Sequence, residues 1–469
     1  MADALHTQAP DSAEAARGDG PWTLIAFATF LGLVVPAALV LSGPLQSNGW
    51  PPRLLIFLAA AGVLVGWLVR GAAGRAPASP ALVGLFVLAG ASVVAFFAAG
   101  RRVLDPIESA GTVRALLVVL PLAIVGAAIA QTATNRQVNL MLQIVVMGAA
   151  ISALIAIAQY VKPFDLAHFM RMPGMVARSD VSGMGARGAF TRVIGASAHP
   201  IEFSVICGSV LPVAIHLARF ARDRGRRVVL WGIVGLLAIA VPMTVSRSGV
   251  VVVLVGMLLY SVALNWRQRA QLLIVAVAGA AVLRAAIPGL LGTVTSIFSR
   301  VSTDPSISGR TQDYTPIFKL WSASPWFGRG LGTFRPDVYF FLDNEYLLAL
   351  VEGGIILVSA VILFFVLGIA SARGAVLRAA DEEQRSRAQA LVAAIAAIGL
   401  AGLLFDLFSF AQATLLAFVF VGLAGACWRL SVQDGREAPG ALERTRGVPG
   451  RYGRRVAVSS GSGVHPSRR

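Results

Sequence analysis

Long apolar runs separated by short, arginine-bearing connections make up most of the chain. They fall at about 22–42, 53–70, 80–99, 114–130, 138–160 and 200–219, and again at about 228–245, 248–265, 270–287, 345–370, 387–407 and 409–429. A helix needs roughly 20 apolar residues to cross the hydrocarbon core of a bilayer, a length that runs of about 17 to 23 residues meet. Stretches such as 228–242 do not alternate apolar with polar positions. That removes a membrane β-barrel and leaves helices as the spanning structure. The pattern predicts an all-α polytopic membrane protein with about twelve transmembrane helices.

Composition removes the remaining alternative. Apolar side chains are 57% of the chain against 13% charged, with mean hydropathy +0.75; a soluble domain carries about a quarter charged residues. The net charge of +17 would point to nucleic acid in a soluble protein. Here arginines held in cytoplasmic loops, and a basic tail near anionic lipid, account for it, so nucleic acid is dropped as a partner. Cys207 and Cys427 both lie inside apolar runs without metal-ligand spacing, so neither a disulfide nor a zinc site is expected.

Three regions follow. Residues 1–21, with Asp3, Asp11, Glu14 and Asp19 against Arg17, lack the basic start of a cleavable signal peptide and read as a disordered cytoplasmic leader. Residues 22–430 form the transmembrane domain, and 431–469 a disordered basic tail rich in Gly, Pro and Ser. Arg70, Arg75, Arg136, the cluster Arg219 to Arg227, Arg267, Arg269 and Arg373 to Arg387 fall in alternate connections. That bias places both termini in the cytoplasm. Two connections, about 161–199 and 288–344, are much longer than the rest and lie outside in this topology, the second between spans 9 and 10; long ordered loops are usually functional.

Candidate chemistry gathers beside those loops. The first ends in Arg192-Val-Ile-Gly-Ala-Ser-Ala-His199-Pro200, where Pro200 suits the start of a helix. The tip between the seventh and eighth runs holds Ser246, Arg247, Ser248 and Gly249; an arginine there either snorkels to headgroups or meets an anion. In the second loop Arg300 and Arg310 flank a Ser/Thr/Pro segment, and Tyr314, Phe318 and Trp321 share one face of a helix lying on the membrane surface. Gly328, Gly330 and Gly332 then either form plain turns or present backbone N–H groups to a phosphate. Asp343 or Asn344 is either an N-cap of the next helix or part of a site. Glu345 and Glu352 share a helix face, and an ionisable group inside a span invites a functional reading.

Taken in order, the segments Arg192 to Pro200, Ser246 to Gly249, Ser308-Gly309-Arg310 and Pro325 to Gly354 resemble those of the O-antigen ligase and O-antigen polymerase family of bacterial envelope glycosyltransferases. The resemblance spans roughly 190–370. It implies a helical bundle of the C-type membrane glycosyltransferase kind, in the bacterial cytoplasmic membrane. It also implies transfer of a glycan from an undecaprenyl-pyrophosphate carrier to an acceptor hydroxyl at the outer face, with no metal and no nucleotide sugar. Arg192, Arg247 and Arg310, with Arg300, Asn344 and Glu352, are then expected to bind substrate. Where family members carry histidine before Asn-x-Tyr-Leu, this chain has Asp343, so Asp343 or His199 is the expected base. A lipid-linked glycan flippase and a non-catalytic assembly partner are the competing readings.

Overall fold

The computed structural model describes residues 20–43, 46, 48–70, 77–178, 185–187, 190–286 and 314–446. The segments 1–19 and 447–469, and the stretch that holds Arg300 and Arg310, lie outside the described residues.

Each apolar run carries a helix. In order they are α1 (Gly20–Val34), α2 (Pro51–Arg70), α3 (Pro80–Ala99), α4 (Pro106–Thr132) and α5 (Asn135–Val161). A short α6 (Leu166–Phe169) precedes α7 (Pro200–Arg219), α8 (Arg224–Met243), α9 (Arg247–Tyr260) and α10 (Trp266–Ala286). The surface helix α11 (Tyr314–Ser322) is followed by α12 (Glu345–Arg378), α13 (Glu382–Ala401) and α14 (Ala411–Arg446). Proline at the first turn, behind a capping side chain, sets several starts: Ser79 before α3, Asp105 before α4 and His199 before α7.

Among the described residues eight helices are long and apolar enough to cross a membrane, with two shorter apolar ones at Pro21–Val34 and Arg247–Ala263. Several of the expected runs depart from a plain span, for local reasons. The first run is broken beside Pro36, and its second half pairs as strand β1 (Leu39–Leu41) with β2 (Met175–Ala177) of the first long loop. A second ribbon joins β3 (Ala186–Arg187) to β4 (Phe190–Thr191). Helix α13 opens on Glu382, Glu383, Arg385 and Arg387 and is enclosed by α7, α9, α12 and α14. It also ends at Ala401, leaving 402–410 as a connection rather than the end of a span. At the C-terminus, helix α14 runs on to Arg446, past residue 430 where the membrane domain was expected to end. Extending a formed helix costs less than starting one.

The centre of the bundle is α7 and α14, whose apolar windows are 89% and 83% buried, whereas α2 at 28% lies at the periphery. The connections bearing His199, 331–343 and 405–411 meet at one end. At the opposite end Arg219 pairs with Glu382 (2.9 Å), Arg387 donates to Asn135 and Asn139, and Arg429 donates to the Ala130 and Ala133 carbonyls that close α4. Arg219 and Arg387, both expected in cytoplasmic loops, therefore share the end away from those connections.

One break in α12 shapes the loop end. Gly354 has φ 63° and ψ −159°, a conformation open essentially to glycine alone. The Ile355 and Ile356 N–H groups, which an unbroken helix would direct to Val351 and Glu352, donate instead to Pro325 O (2.9 Å) and Trp326 O (3.4 Å). The released carbonyls of Val351 and Glu352 accept from Arg329 N–H (2.9 Å) and Gly330 N–H (2.8 Å). Loop and helix thus exchange hydrogen bonds. A Cβ on Gly354 would fall 2.4 Å from the Trp326 carbonyl carbon, while Gly90 on α3 has open space. Gly354→Ala should therefore lower stability by at least about 2 kcal/mol, whereas Gly90→Ala should be neutral or raise it by up to about 1 kcal/mol. Thermal unfolding of both variants in detergent checks the contrast.

Candidate functional site

The loop end encloses a cavity of about 520 Å³. Its lower wall is apolar, with Leu88 of α3, Val118 and Val119 of α4, and Leu357 and Val361 of α12. Its upper wall is charged. Arg53, Arg114, Arg178 and Arg335 line it together with His199, Asp343, Glu345, Glu352 and Asp406. A cavity that is apolar toward the membrane and ionic toward the loops fits an amphiphile with an anionic head.

The expected residues divide into three groups. His199, Asp343 and Glu352 line this cavity. Arg192 and Arg247 are at the neighbouring hairpin, outside the described lining: Arg192 Nε donates to Thr244 O (3.1 Å), and Arg247 is the first residue of α9. Val245 between them has φ 49°, a strained value for a β-branched residue. Arg300 and Arg310 fall outside the described residues. The cations that do line the cavity, Arg53, Arg114, Arg178 and Arg335, come from four separate stretches and were not singled out by motif. Arg114 could have been found as a charge at the start of an apolar run, and Asp406 as an acid inside one.

Local bonding assigns several of these side chains. Asn344, not Asp343, caps α12: its Oδ1 accepts from Tyr346 N–H (3.0 Å) and Leu347 N–H (3.1 Å), and its Nδ2 donates to Leu403 O (3.3 Å). Glu352 holds the glycine loop, its two oxygens accepting from Gly332 N–H (2.7 Å) and Phe334 N–H (3.0 Å). With Arg329 and Gly330 bonded to α12, Gly328 N–H on Ser324 O, Leu331 N–H on Ala95 O and Thr333 N–H on Gly330 O, the loop spends its donors on the protein. The glycines build turns and close contacts, not a phosphate cradle. A network below them fastens the loop to α4: Arg102 forms a double hydrogen bond with Glu108 (2.9 and 2.8 Å), which also accepts from Tyr339 Oη (2.8 Å).

The ionisable groups outside the spans are tuned by their surroundings. Ile201 N–H donates to His199 Nδ1 (3.2 Å), so neutral His199 carries its proton on Nε2 and presents a donor to the cavity. Burial, helped by the Arg192 charge and opposed by Asp343, lowers His199 to about 4. Asp406 behaves oppositely. Burial raises it to about 6 against a hydrogen bond from Ser409; the charge of Asp343 adds to the rise and Arg335 opposes it. Among the described residues no group of three or more His, Cys, Asp or Glu is arranged to hold a metal ion.

A protein-family model described as O-antigen ligase matches residues 232–362. The match runs from α8 to the middle of α12, and so takes in the Ser246–Gly249 hairpin, the glycine loop, Asp343 and the Gly354 break. It agrees with the resemblance read from the motifs and supports ligation or polymerisation of polysaccharide at a membrane as the class of activity. His199, Arg192 and Asp406 lie beyond it. No curated protein matches the chain.

The bonding of His199 gives a pH test. An unfolded chain titrates histidine near 6.5 and the folded one near 4, so unfolding takes up a proton between these values. The contribution to stability is full above 6.5 and is lost as pH falls toward 4. His199→Asn retains an oxygen able to cap α7 and removes that proton uptake. Its melting temperature in detergent should equal that of the unaltered protein at neutral pH and fall less between about pH 6.5 and 4.5. An equal fall in both would contradict the assignment.

Proposed function

We infer that the protein transfers a glycan from a polyprenyl-diphosphate carrier to an acceptor hydroxyl, at the outer face of a bacterial cytoplasmic membrane. The observation that carries this reading is the cavity at the loop end, where four arginines and two aspartates stand above an apolar wall. In this reading the apolar wall takes the first isoprene units and the arginines take the diphosphate. Guanidinium groups offer paired donors matched to phosphate oxygens. In a partly dry site they stabilise the charge that builds on the leaving diphosphate.

Arg335 and Arg114 are the cations placed to act together: the Arg335 side chain runs past Gly111, and Arg114 lies one turn further along the same helix. His199 Nε2–H adds a neutral donor. Arg192 and Arg247, with Arg310 and Arg300 of the large loop, supply further positive charge to the same reaction, and Asp343 accepts the acceptor proton. Asn344 and Glu352 act on substrate indirectly, by fixing the helix start and the glycine loop. A chain that moved lipid-linked glycan across the bilayer would need ionisable groups along a path through its middle; among the described residues the bonded arginines and the cavity acids gather at the two ends.

The test uses the purified full chain in lipid vesicles with a polyprenyl-diphosphate-linked glycan and an acceptor glycan, reading new glycosidic bonds by mass spectrometry. Arg335→Ala should lower kcat/KM about 10²- to 10³-fold, and Asp343→Asn should lower kcat about 10²- to 10⁴-fold. Unchanged transfer in both variants would sink the assignment. Glycan crossing the membrane with no new bond would favour the flippase.

A further inference from the structure

We propose that Tyr339 is a positioning residue for Arg335: its hydroxyl, held between Glu108 and Arg329, fixes the turn that carries the Arg335 side chain into the cavity wall. The proposal rests on the glycan-transfer reading above, in which Arg335 takes the diphosphate. Phe334, Arg335, Pro336 and Phe340 line the cavity, and Tyr339 among them is not part of the described lining. Any effect of Tyr339 on substrate therefore passes through its neighbours.

Residues 335–339 make one turn. The Arg335 carbonyl accepts from Val338 N–H (3.0 Å) and Tyr339 N–H (2.9 Å), and the Tyr339 ring stacks on Phe334 with centroids 4.9 Å apart and planes 10° apart. Tyr339 thus grips Arg335 by its backbone and the residue before it by its ring. Its Oη donates to Glu108 Oε1 (2.8 Å) and accepts from Arg329 Nη2 (2.5 Å). Both partners are themselves fixed. Glu108 accepts from Arg102 and from Asp105 N–H (3.2 Å), and the Arg329 carbonyl accepts from Arg102 Nε (3.1 Å).

Helix α4 sets the register between turn and cation. Glu108 and Gly111 are three residues apart and so are neighbours on one helix face. Glu108 takes hold of the turn through Tyr339. At Gly111 the Arg335 side chain crosses the helix, its Cδ 3.1 Å from where a Cβ would stand. Upstream the turn is anchored by Phe334 N–H on Glu352 (3.0 Å); downstream the Tyr339 hydroxyl supplies the second anchor. The Arg335 ion pair with Asp337 spans 3.9 Å, and Asp337 belongs to the same turn, so that pair travels with the turn instead of holding it. A guanidinium shifted by about 1 Å from a leaving diphosphate loses much of its hold on the charge that develops there. Loss of the hydroxyl should therefore cost rate through Arg335, and cost nothing where Arg335 is already gone.

The experiment is a double-mutant cycle in the transfer assay with the full chain. Tyr339→Phe keeps the ring stack and the backbone bond and removes only the hydroxyl contacts. It should lower kcat/KM for the lipid-linked donor about tenfold and leave KM for the acceptor within about twofold. Beside Arg335→Ala it should lower transfer no further than about twofold. A purely structural hydroxyl would cost the same factor in both backgrounds, and that result, or full transfer by Tyr339→Phe, overturns the proposal. Thermal unfolding in detergent shows whether the variant is folded. If it is not, Glu108→Gln, which keeps an oxygen for Tyr339, takes its place in the cycle: full transfer, or a loss that persists beside Arg335→Ala, overturns the proposal in the same way. No transfer by the unaltered protein overturns the glycan-transfer reading itself, a failure distinct from transfer with additive losses.

Discussion

The exchange of backbone hydrogen bonds between the break at Gly354 and the glycine loop is the constraint on which the loop end depends. Breaking a helix frees N–H and C=O groups at a depth where water does not satisfy them, and each one left bare costs several kcal/mol. Here the loop 325–330 accepts from the two freed N–H groups and donates to the two freed carbonyls. The break is tolerable only with the loop in place, and the loop is held only by the break. Irregular backbone within a membrane bundle is allowed where it is buried in protein or lines a cavity, and Gly353 and Gly354 at this break are buried.

That exchange also explains how one cavity draws on so many parts of the chain. Once residues 325–334 are bonded to α12, the segment that continues through Arg335 to Asp343 must leave and return on the same side of the helix. Glu352 strengthens this by binding Gly332 and Phe334, and the Arg102, Glu108 and Tyr339 network ties the segment to α4. The structure uses its charges in two ways. Glu108 is held by Arg102 and Tyr339, Glu352 by the Gly332 and Phe334 N–H groups, and Arg429 by the Ala130 carbonyl, so these three serve the fold. Arg335, Asp343 and Asp406 remain in the cavity wall.

The helices were legible in the sequence because a span leaves a run of apolar residues that nothing else produces. The detail of the site was less so. Arg53, Arg114 and Arg178 belong to no motif, and only the packing of α2, α4 and the β1–β2 ribbon brings them to one wall. The glycine triplet was read as turns or as a phosphate cradle, and the partners that settle it lie in α3 and α12, out of reach of local spacing. Arg192 and Arg247 carry the right chemistry near the cavity, yet the bond to Thr244 O shows Arg192 holding a hairpin tip. His199 looked like a base, and the proton assignment that makes it a donor comes from one backbone N–H two residues away.

The departure at Asp343 has a physical side that the motif comparison alone does not reveal. An imidazole titrates near neutral pH with no help, whereas an aspartate does so only if its surroundings make its charge costly. Replacing the histidine by aspartate at one position therefore calls for a change elsewhere: a drier wall, or a second acid nearby. In this cavity Phe340, Phe341 and Leu342 precede Asp343 in the wall, and Asp406 lines the same wall. The second acid lies outside the matched family segment, on a connection that reads as the end of an apolar run. Two acids of one cavity wall can thus be far apart in the chain, their segments joined by the Glu345 and Asn344 bonds to residues 402–408.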